Sequence, residues 1–326
     1  MNSKHLLVVE GLKKYYRVSG GGFLNRKKAT VKAVDGVNLA IDQGETFGLV
    51  GESGCGKTTL GRCILRLEQP TDGRVVFDGR DVLACDHRSL RALRREMQII
   101  FQDPYSSLDP RQTIGRIIGE PFKVHHNLTA KELRVRLEEL MEVVGLLPEH
   151  LYRYPHEFSG GQRQRICVAR ALALNPKLII ADEPVSALDV SIQAQILNLL
   201  VELQRQFGLT YIFISHDLSV VRHICDQVAV MYLGRVVELA SSQDLYARPL
   251  HPYTQALLSA VPVANPALKK DHIPLEGDVP SAINPPSGCT FHPRCAQRRE
   301  MCSRSASVMN ELKPGHFVAC HYPQEN

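Results

Sequence analysis

The protein has 326 residues, with 39 Lys and Arg against 34 Asp and Glu, a formal net charge of +5 and 44% hydrophobic residues. That length is enough for a large core, and the ordinary charge, Gly and Pro contents exclude a disordered chain, a collagen and a low-complexity scaffold. The small positive excess is weak evidence for nucleic-acid binding, which normally needs a concentrated basic patch, so we expect no nucleic-acid partner. No apolar run approaches the ~20 residues of a membrane span, and the first residues lack the apolar stretch of a signal peptide. We therefore expect a cytoplasmic protein that reaches a membrane only through a partner.

The predicted elements indicate an α/β fold with a parallel sheet. Short runs typical of strands occur early in the chain, at Leu6–Val9, Val37–Ile41 and Arg74–Phe77. Continuous apolar runs, typical of buried parallel strands, lie at Phe47–Val50, Leu178–Ala181 and Tyr211–Ile214. Each of these is followed by a glycine-rich or polar turn and then by a helical pattern.

Two regions depart from this alternation. The first, at about 104–164, shows apolar residues at helical spacing behind the capping candidate Thr129, which predicts an inserted helical subdomain. The second begins at His251, beyond which proline is frequent. We predict a main domain over residues 1–250 and an irregular extension over 251–326, of a kind that needs a cross-link or metal to stay folded.

The segment from Gly51 to Thr58 matches the phosphate-loop pattern and lies between a predicted strand and a predicted helix. Glycines allow the turns that direct backbone N–H groups inward, and the helix N-terminus adds partial positive charge. Lys57 would supply a full charge to the β- and γ-phosphates, and the Thr58 hydroxyl would ligate Mg²⁺. The expected ATP-binding residues here are Gly51, Ser53, Gly54, Cys55, Gly56, Lys57, Thr58 and Thr59.

Acidic and imidazole side chains follow two other predicted strands. Asp182 ends the run Leu178–Ala181, at the position where a Mg²⁺-coordinating carboxylate is expected, and Glu183 next to it could polarise the attacking water. His216 follows the strand Tyr211–Ile214. Because parallel strands end at one edge of a sheet, we expect His216 to contact the γ-phosphate.

Several further motifs resemble those of ABC-transporter ATPases. The segment Phe158–Arg165 contains Ser159, Gly160, Gly161 and Gln162 and resembles the signature motif of that family. Gln102 looks like the Q-loop glutamine, Asp189 like the D-loop aspartate and His216 like the switch histidine. Tyr16, next to Tyr15, looks like the aromatic residue that stacks on adenine. The motifs occur once each, in the family order.

The resemblance implies a fold, a mechanism and a set of ligands. The fold would be a P-loop NTPase core of the RecA-like type, with an antiparallel β subdomain and the inserted helical subdomain. Two such domains close head to tail around two ATP molecules, so the signature residues would act on the ATP of the partner. Thr58, Gln102 and Asp182 would hold Mg²⁺, and Glu183 and His216 would be catalytic.

Other strings resemble the ATP-binding subunits of bacterial dipeptide and oligopeptide permeases. They are Asp103–Pro110, Tyr154–Phe158, His251–Leu258 and the tail around Cys289 and Cys295. The likeness implies a peripheral ATPase at the cytoplasmic face of the inner membrane. Its partners would be a second, related ATPase, two transmembrane permease subunits and an extracytoplasmic peptide-binding protein. Import of another cargo, such as nickel, a short oligosaccharide or an antimicrobial peptide, stays open as an alternative.

Four of the nine cysteines crowd into the extension, as Cys289, Cys295, Cys302 and Cys320. Four thiolates can hold a [4Fe–4S] cluster or a Zn²⁺ ion. The ligand pairs of zinc sites usually have closer spacing than these cysteines have, so we expect the cluster, with zinc and unligated thiols or disulfides as alternatives. Some of the permease ATPases that the tail resembles are associated with such clusters.

Overall fold

A computed structural model describes residues 5–19, 28–261 and 273–324. Its strands are β1 (His5–Ser19), β2 (Lys28–Asp42), β3 (Thr46–Val50), β4 (Asp72–Phe77), β5 (Arg80–Asp81), β6 (Met97–Ile100), β7 (Leu178–Asp182), β8 (Thr210–Ser215), β9 (Gln227–Tyr232), β10 (Arg235–Ser241), β11 (Asn310–Lys313) and β12 (His316–Val318). Its α-helices are α1 (Lys57–Ile64), α2 (His87–Glu96), α3 (Pro104–Ser107), α4 (Ile114–His125), α5 (Ala130–Val143), α6 (Gly160–Leu172), α7 (Val190–Phe207), α8 (Leu218–Ile224), α9 (Ser242–Ala247), α10 (Pro252–Ser259) and α11 (Glu300–Arg304).

The chain forms two compact units. The first comprises the described parts of Met1–Asp42, Thr46–Leu83 and Ser215–Asn326, and the second comprises Gln43–Glu45 and Ala84–Ile214. The phosphate loop and the C-terminal extension therefore share a unit, and the boundary near residue 250 stays a prediction.

The first unit contains an antiparallel sheet in the order β2-β1-β4-β5. A second set of strands runs β11-β12-β10-β9-β3, in which β3 is parallel to β9 and the other pairings are antiparallel. All five residues of β3 are buried, as its continuous apolar run predicts. The phosphate loop follows directly from the end of this strand.

The second unit has parallel pairing of β6 with β7 and of β7 with β8. Residues 104–164, all of them described, contain helices and no strand. Thr129, the predicted capping residue, precedes α5 and forms a capping box in which its hydroxyl accepts from the Glu132 N–H and Glu132 accepts from the Thr129 N–H.

The extension is more regular than predicted. Its strand β12 pairs with β10, and β11 pairs with β12. These strands of three and four residues are too short to show a clear sequence period. Among the described residues, no helix has both the length and the apolar character needed to cross a membrane.

Candidate functional site

The phosphate loop has the backbone conformation that its glycines predict. Gly51, Gly54 and Gly56 have φ values of 148°, 79° and 109°. A Cβ atom on Gly51 would lie 2.2 Å from the Met231 carbonyl oxygen, and one on Gly56 would lie 2.1 Å from that of Ala33. Side chains are therefore excluded at both positions by sterics as well as by φ.

Lys57 is held over this loop. It begins α1, is 5% exposed, and donates through Nζ to the carbonyl oxygens of Gly51, at 2.7 Å, and Glu52, at 3.1 Å. The neighbouring Cys55 thiol lies 3.8 Å from Nζ, and burial raises its pKa. The loop thus presents one buried cation next to the helix N-terminus, an arrangement suited to an anion such as a triphosphate.

The two candidate adenine-stacking residues both lie on β1. The Tyr16 hydroxyl donates to Glu68, and the Lys14 ammonium lies 4.8 Å from the centre of the Tyr16 ring. The Tyr15 hydroxyl donates to Asp35. Burial, together with these hydrogen bonds, raises the pKa of each phenol to about 12. Stacking of Tyr16 on adenine stays a prediction.

The second unit holds the predicted acidic residues at the end of β7. Asp182 is 3% exposed, and Glu183 follows it with a φ of 47°. This left-handed conformation is unfavourable for a non-glycine residue, and the Glu183 N–H is fixed by a 3.0 Å hydrogen bond to the Ile214 carbonyl. Gln102 Nε2 donates to Glu183 Oε2 at 2.8 Å. The structure therefore brings the Q-loop candidate and the candidate base into contact.

His216 belongs to the first unit, directly after β8, and is exposed. Its neighbours fix the backbone on either side. The Asp217 N–H donates to Ser215 Oγ at 3.0 Å, and the Asp217 carboxylate begins α8 by accepting from the Ser219 N–H at 2.8 Å. These hydrogen bonds fix the turn between β8 and α8 in which His216 lies.

The signature residues form the first turn of α6. Ser159 and Gln162 make a reciprocal capping box, at 3.4 Å and 3.1 Å. A Cβ atom on Gly161 would lie 2.4 Å from Ile192 Cγ2, and one on Gly160 would lie 3.3 Å from a Leu188 methyl group. The signature glycines are thus required by close packing against the segment around Asp189, which begins α7.

The four cysteines of the extension line one cavity. The Cys289 N–H donates to the Cys302 carbonyl at 2.8 Å. Burial raises the pKa of Cys295, and it raises that of Cys320 to about 11, to which the other three thiols contribute. All nine cysteines are free, so the disulfide alternative is wrong. Within the described ranges, no three His, Cys, Asp or Glu side chains are placed to hold a metal ion.

One part of the site was not expected from the sequence. Arg294, in the extension, forms an ion pair with Glu52 of the phosphate loop, and Tyr253 contacts the same residue. No local pattern links these positions, because Arg294 and Glu52 are 242 positions apart in the sequence.

Two protein families match this chain. Residues 34–186 match the family described as ABC transporter, and residues 237–302 match the family described as oligopeptide/dipeptide transporter, C-terminal region. The chain is 54% identical over 323 residues to the oligopeptide transport ATP-binding protein AppF of Bacillus subtilis, covering 98% of each chain. It is 53% identical over 320 residues to a putative peptide import ATP-binding protein of Brucella ovis, again covering 98% of each.

Solved structures agree with these matches. CbiO1 of Clostridium perfringens, part of the ABC transporter complex cbiONQ, has a TM-score of 0.63 and 30% identity, over 75% of this chain and 92% of that one. The ATP-binding cassette MJ0796, a dimer in a post-hydrolysis state with ADP and Pi, has the same TM-score and identity, over 72% and 98%. The fold is that of a P-loop ABC ATPase. The chain belongs to the ABC-transporter ATP-binding proteins that carry an oligopeptide/dipeptide-transporter C-terminal region.

Proposed function

We propose that the protein binds and hydrolyses ATP to power the import of peptides across the bacterial inner membrane. The observation that carries this proposal is the structure of the phosphate loop. Its glycines adopt backbone conformations with positive φ, and the buried Lys57 lies next to them at the start of α1. Likeness along nearly the full length to proteins named for oligopeptide transport supports the cargo class. The relatives' names favour peptides over nickel or oligosaccharides, and the matched C-terminal family is described as that of oligopeptide/dipeptide transporters.

The proposed ATP site divides its tasks among residues with different chemistry. Lys57 and the loop N–H groups neutralise the phosphates, Tyr16 stacks on the base, and Thr58, Gln102 and Asp182 ligate the Mg²⁺ of the MgATP substrate. Glu183 accepts a proton from the attacking water, and His216 contacts the γ-phosphate. The hydrogen bond between Gln102 and Glu183 supports this assignment, because it couples the Q-loop to the proposed base.

The proposed assembly contains two ATPase subunits. The signature residues Ser159, Gly160, Gly161 and Gln162 act on the partner's ATP, and Asp189 belongs to the D-loop. Their place at the N-terminus of a thirteen-residue helix supports this role, since such a helix end favours an anion. The second ATPase subunit is a related protein, and the remaining proposed partners are two permease subunits and a peptide-binding protein. The protein then lies peripherally at the cytoplasmic face of the membrane.

The extension is proposed to hold a [4Fe–4S] cluster through Cys289, Cys295, Cys302 and Cys320. Four cysteines around one cavity supply the ligand number and chemistry that such a cluster needs. Zinc requires all four sulfurs at ~2.3 Å from one ion. The ligand pairs of zinc sites usually have closer spacing than these cysteines have, which favours the larger cluster. The cluster would cross-link the extension.

The test of the central proposal is transport by the complete complex in proteoliposomes. Wild-type complex should hydrolyse MgATP and accumulate labelled dipeptide, and Lys57→Ala should lose both through weaker nucleotide binding. Lys131→Ala, at an exposed position on α5, is the matched control. Wild-type complex that hydrolyses ATP but accumulates nickel or an oligosaccharide in place of peptide would overturn the cargo assignment. A Lys57→Ala complex with normal turnover would overturn the ATP site.

A further inference from the structure

Arg294 of the extension forms a bidentate ion pair with Glu52 of the phosphate loop. Its Nη1 lies 2.7 Å from Glu52 Oε2, and its Nη2 lies 3.1 Å from Glu52 Oε1. The Arg294 side chain is only 6% exposed, and that of Glu52 is 25% exposed. The hydrogen bonds to Glu52 raise the pKa of the Arg294 guanidinium. Two parallel charge-assisted hydrogen bonds fix both the position and the orientation of the carboxylate.

A second contact from the C-terminal part of the chain holds the backbone of the same residue. The Glu52 N–H donates to the Tyr253 hydroxyl at 2.9 Å. The Glu52 carbonyl in turn accepts from Lys57 Nζ. The residue that helps to hold the phosphate-binding lysine is therefore itself fixed at its side chain by Arg294 and at its backbone by Tyr253.

These two contacts come from a firmly anchored part of the fold. Glu238 of β10 is fully buried and accepts from the N–H groups of Leu250 and His251 and from His316 Nε2, at 2.7, 2.9 and 2.7 Å. Phe291, three residues before Arg294, packs its ring 5.3 Å from the ring of Tyr253. Arg294 therefore approaches the loop from a part of the fold that is fixed by buried hydrogen bonds and ring packing.

The charge of Glu52 creates a problem for a loop that must accept a triphosphate. A carboxylate within the loop repels the incoming anion, and such repulsion is strong where water is partly excluded. The guanidinium of Arg294 cancels that charge. The side chain that neutralises Glu52 thus comes from the extension and not from the loop itself.

We propose that Arg294 is a positioning residue for nucleotide binding, which neutralises Glu52 and fixes the phosphate loop. The proposal rests on the function proposed above, that this loop binds ATP. It makes the extension a determinant of ATP affinity in this chain. An ion pair that only stabilised the fold would lower the melting temperature when broken and leave the affinity of the folded protein unchanged.

The test measures MgATP affinity of the purified full-length chain by titration calorimetry, with the melting temperature of each variant. We expect Arg294→Ala to raise the Kd about tenfold, the scale on which positioning contacts act on a neighbouring site. Adding Glu52→Gln to Arg294→Ala should restore much of the affinity, because the uncompensated charge is removed. Arg294→Lys keeps the charge but not the bidentate geometry, so its Kd should lie between those of wild type and Arg294→Ala. This variant replaces Arg294→Ala in the test if the alanine variant folds poorly. Arg298→Ala, at an exposed arginine in the same region, is the matched control.

Three outcomes decide the proposal. A raised Kd in Arg294→Ala that Glu52→Gln relieves supports it. Wild-type affinity in folded Arg294→Ala, with binding lost in Lys57→Ala, overturns it while ATP binding at the loop stands. Wild-type affinity in both Arg294→Ala and Lys57→Ala overturns the ATP site itself, and this proposal with it.

Discussion

Gln102 and Glu183 are joined by a 2.8 Å hydrogen bond in which the Gln102 amide donates to the Glu183 carboxylate. Glu183 also has a left-handed backbone conformation, with a φ of 47°. Such a conformation in a non-glycine residue is retained only where the surroundings enforce it. Here the hydrogen bond from the Glu183 N–H to the Ile214 carbonyl contributes to that constraint. The candidate base is therefore held at both backbone and side chain.

Replacing this carboxylate by an amide tests its role. We expect Glu183→Gln to retain MgATP binding and to lose ~10²–10⁴-fold in hydrolysis, because general-base assistance is worth about that much. The measurement is phosphate release by the complex, with affinity measured separately. Glu202→Gln, at an exposed glutamate of α7, is the control and should hydrolyse normally. Normal turnover in Glu183→Gln would refute the assignment.

The signature turn depends on space for glycine at position 161. We expect Gly161→Ala to lose ~1–3 kcal/mol of unfolding free energy, because its methyl group would overlap Ile192 Cγ2 on a stiff β-branched side chain. Hydrolysis by the complex should fall, while ATP binding to this chain persists. Ile192→Ala should relieve the overlap and restore stability. Gly119→Ala, where the nearest atoms are 3.8 Å away, should be tolerated. A double variant no more stable than Gly161→Ala would contradict the packing explanation.

The proposed stacking on adenine gives different roles to the adjacent residues Tyr15 and Tyr16. We expect Tyr16→Ala to weaken ATP binding by ~1–3 kcal/mol, the usual worth of a base on an aromatic ring, and Tyr16→Phe to retain most of the affinity. Tyr15→Ala should affect mainly stability, because the Tyr15 hydroxyl contacts Asp35. Calorimetric titration with MgATP distinguishes the two. Equal losses of affinity from both alanine variants would argue against a specific role for Tyr16.

The stability of the protein at alkaline pH should depend on the titration of Tyr16. The pKa of Tyr16 is raised to about 12, above its usual value of about 10. Below pH ~10 the phenol is protonated in both states, and its contribution to stability is fully present. As the pH rises from about 10 to 12, the unfolded state loses its proton first, so that contribution declines. Urea unfolding between pH 9 and 11 should show a smaller decline for Tyr16→Phe than for wild type. An unchanged slope would mean that Tyr16 titrates normally.

The cluster proposal has a direct optical test. Protein purified without oxygen should be brown, absorb near ~400 nm and contain about four irons per chain if the four cysteines hold a [4Fe–4S] cluster. Cys302→Ser should lose iron and lower the thermal stability of the chain. Cys63→Ser, at a buried cysteine of α1, should keep its iron. Colourless anaerobic protein with one zinc and no iron would refute the cluster.

The sequence alone determined the features that depend on a few neighbouring residues. The phosphate loop follows from the conformational freedom of Gly51 and Gly56 and from the charge of Lys57. The start of α5 follows from the capping candidate Thr129, which directly precedes the helix. The acidic end of β7 follows from a short apolar run that stops at Asp182. Each of these signals lies within one element, where side-chain chemistry and backbone preference act locally.

Only the tertiary structure decided which distant residues meet. Gln102 and Glu183 are 81 positions apart, and Glu52 and Arg294 are 242 apart. Their contacts depend on strand register and on packing between elements, which no local period records. The same holds for β12, whose three residues form a strand by pairing with β10 and β11. The candidate phosphate-binding residues could therefore be predicted from the sequence. The contacts of Arg294 and Tyr253 with Glu52 could be found only in the tertiary structure.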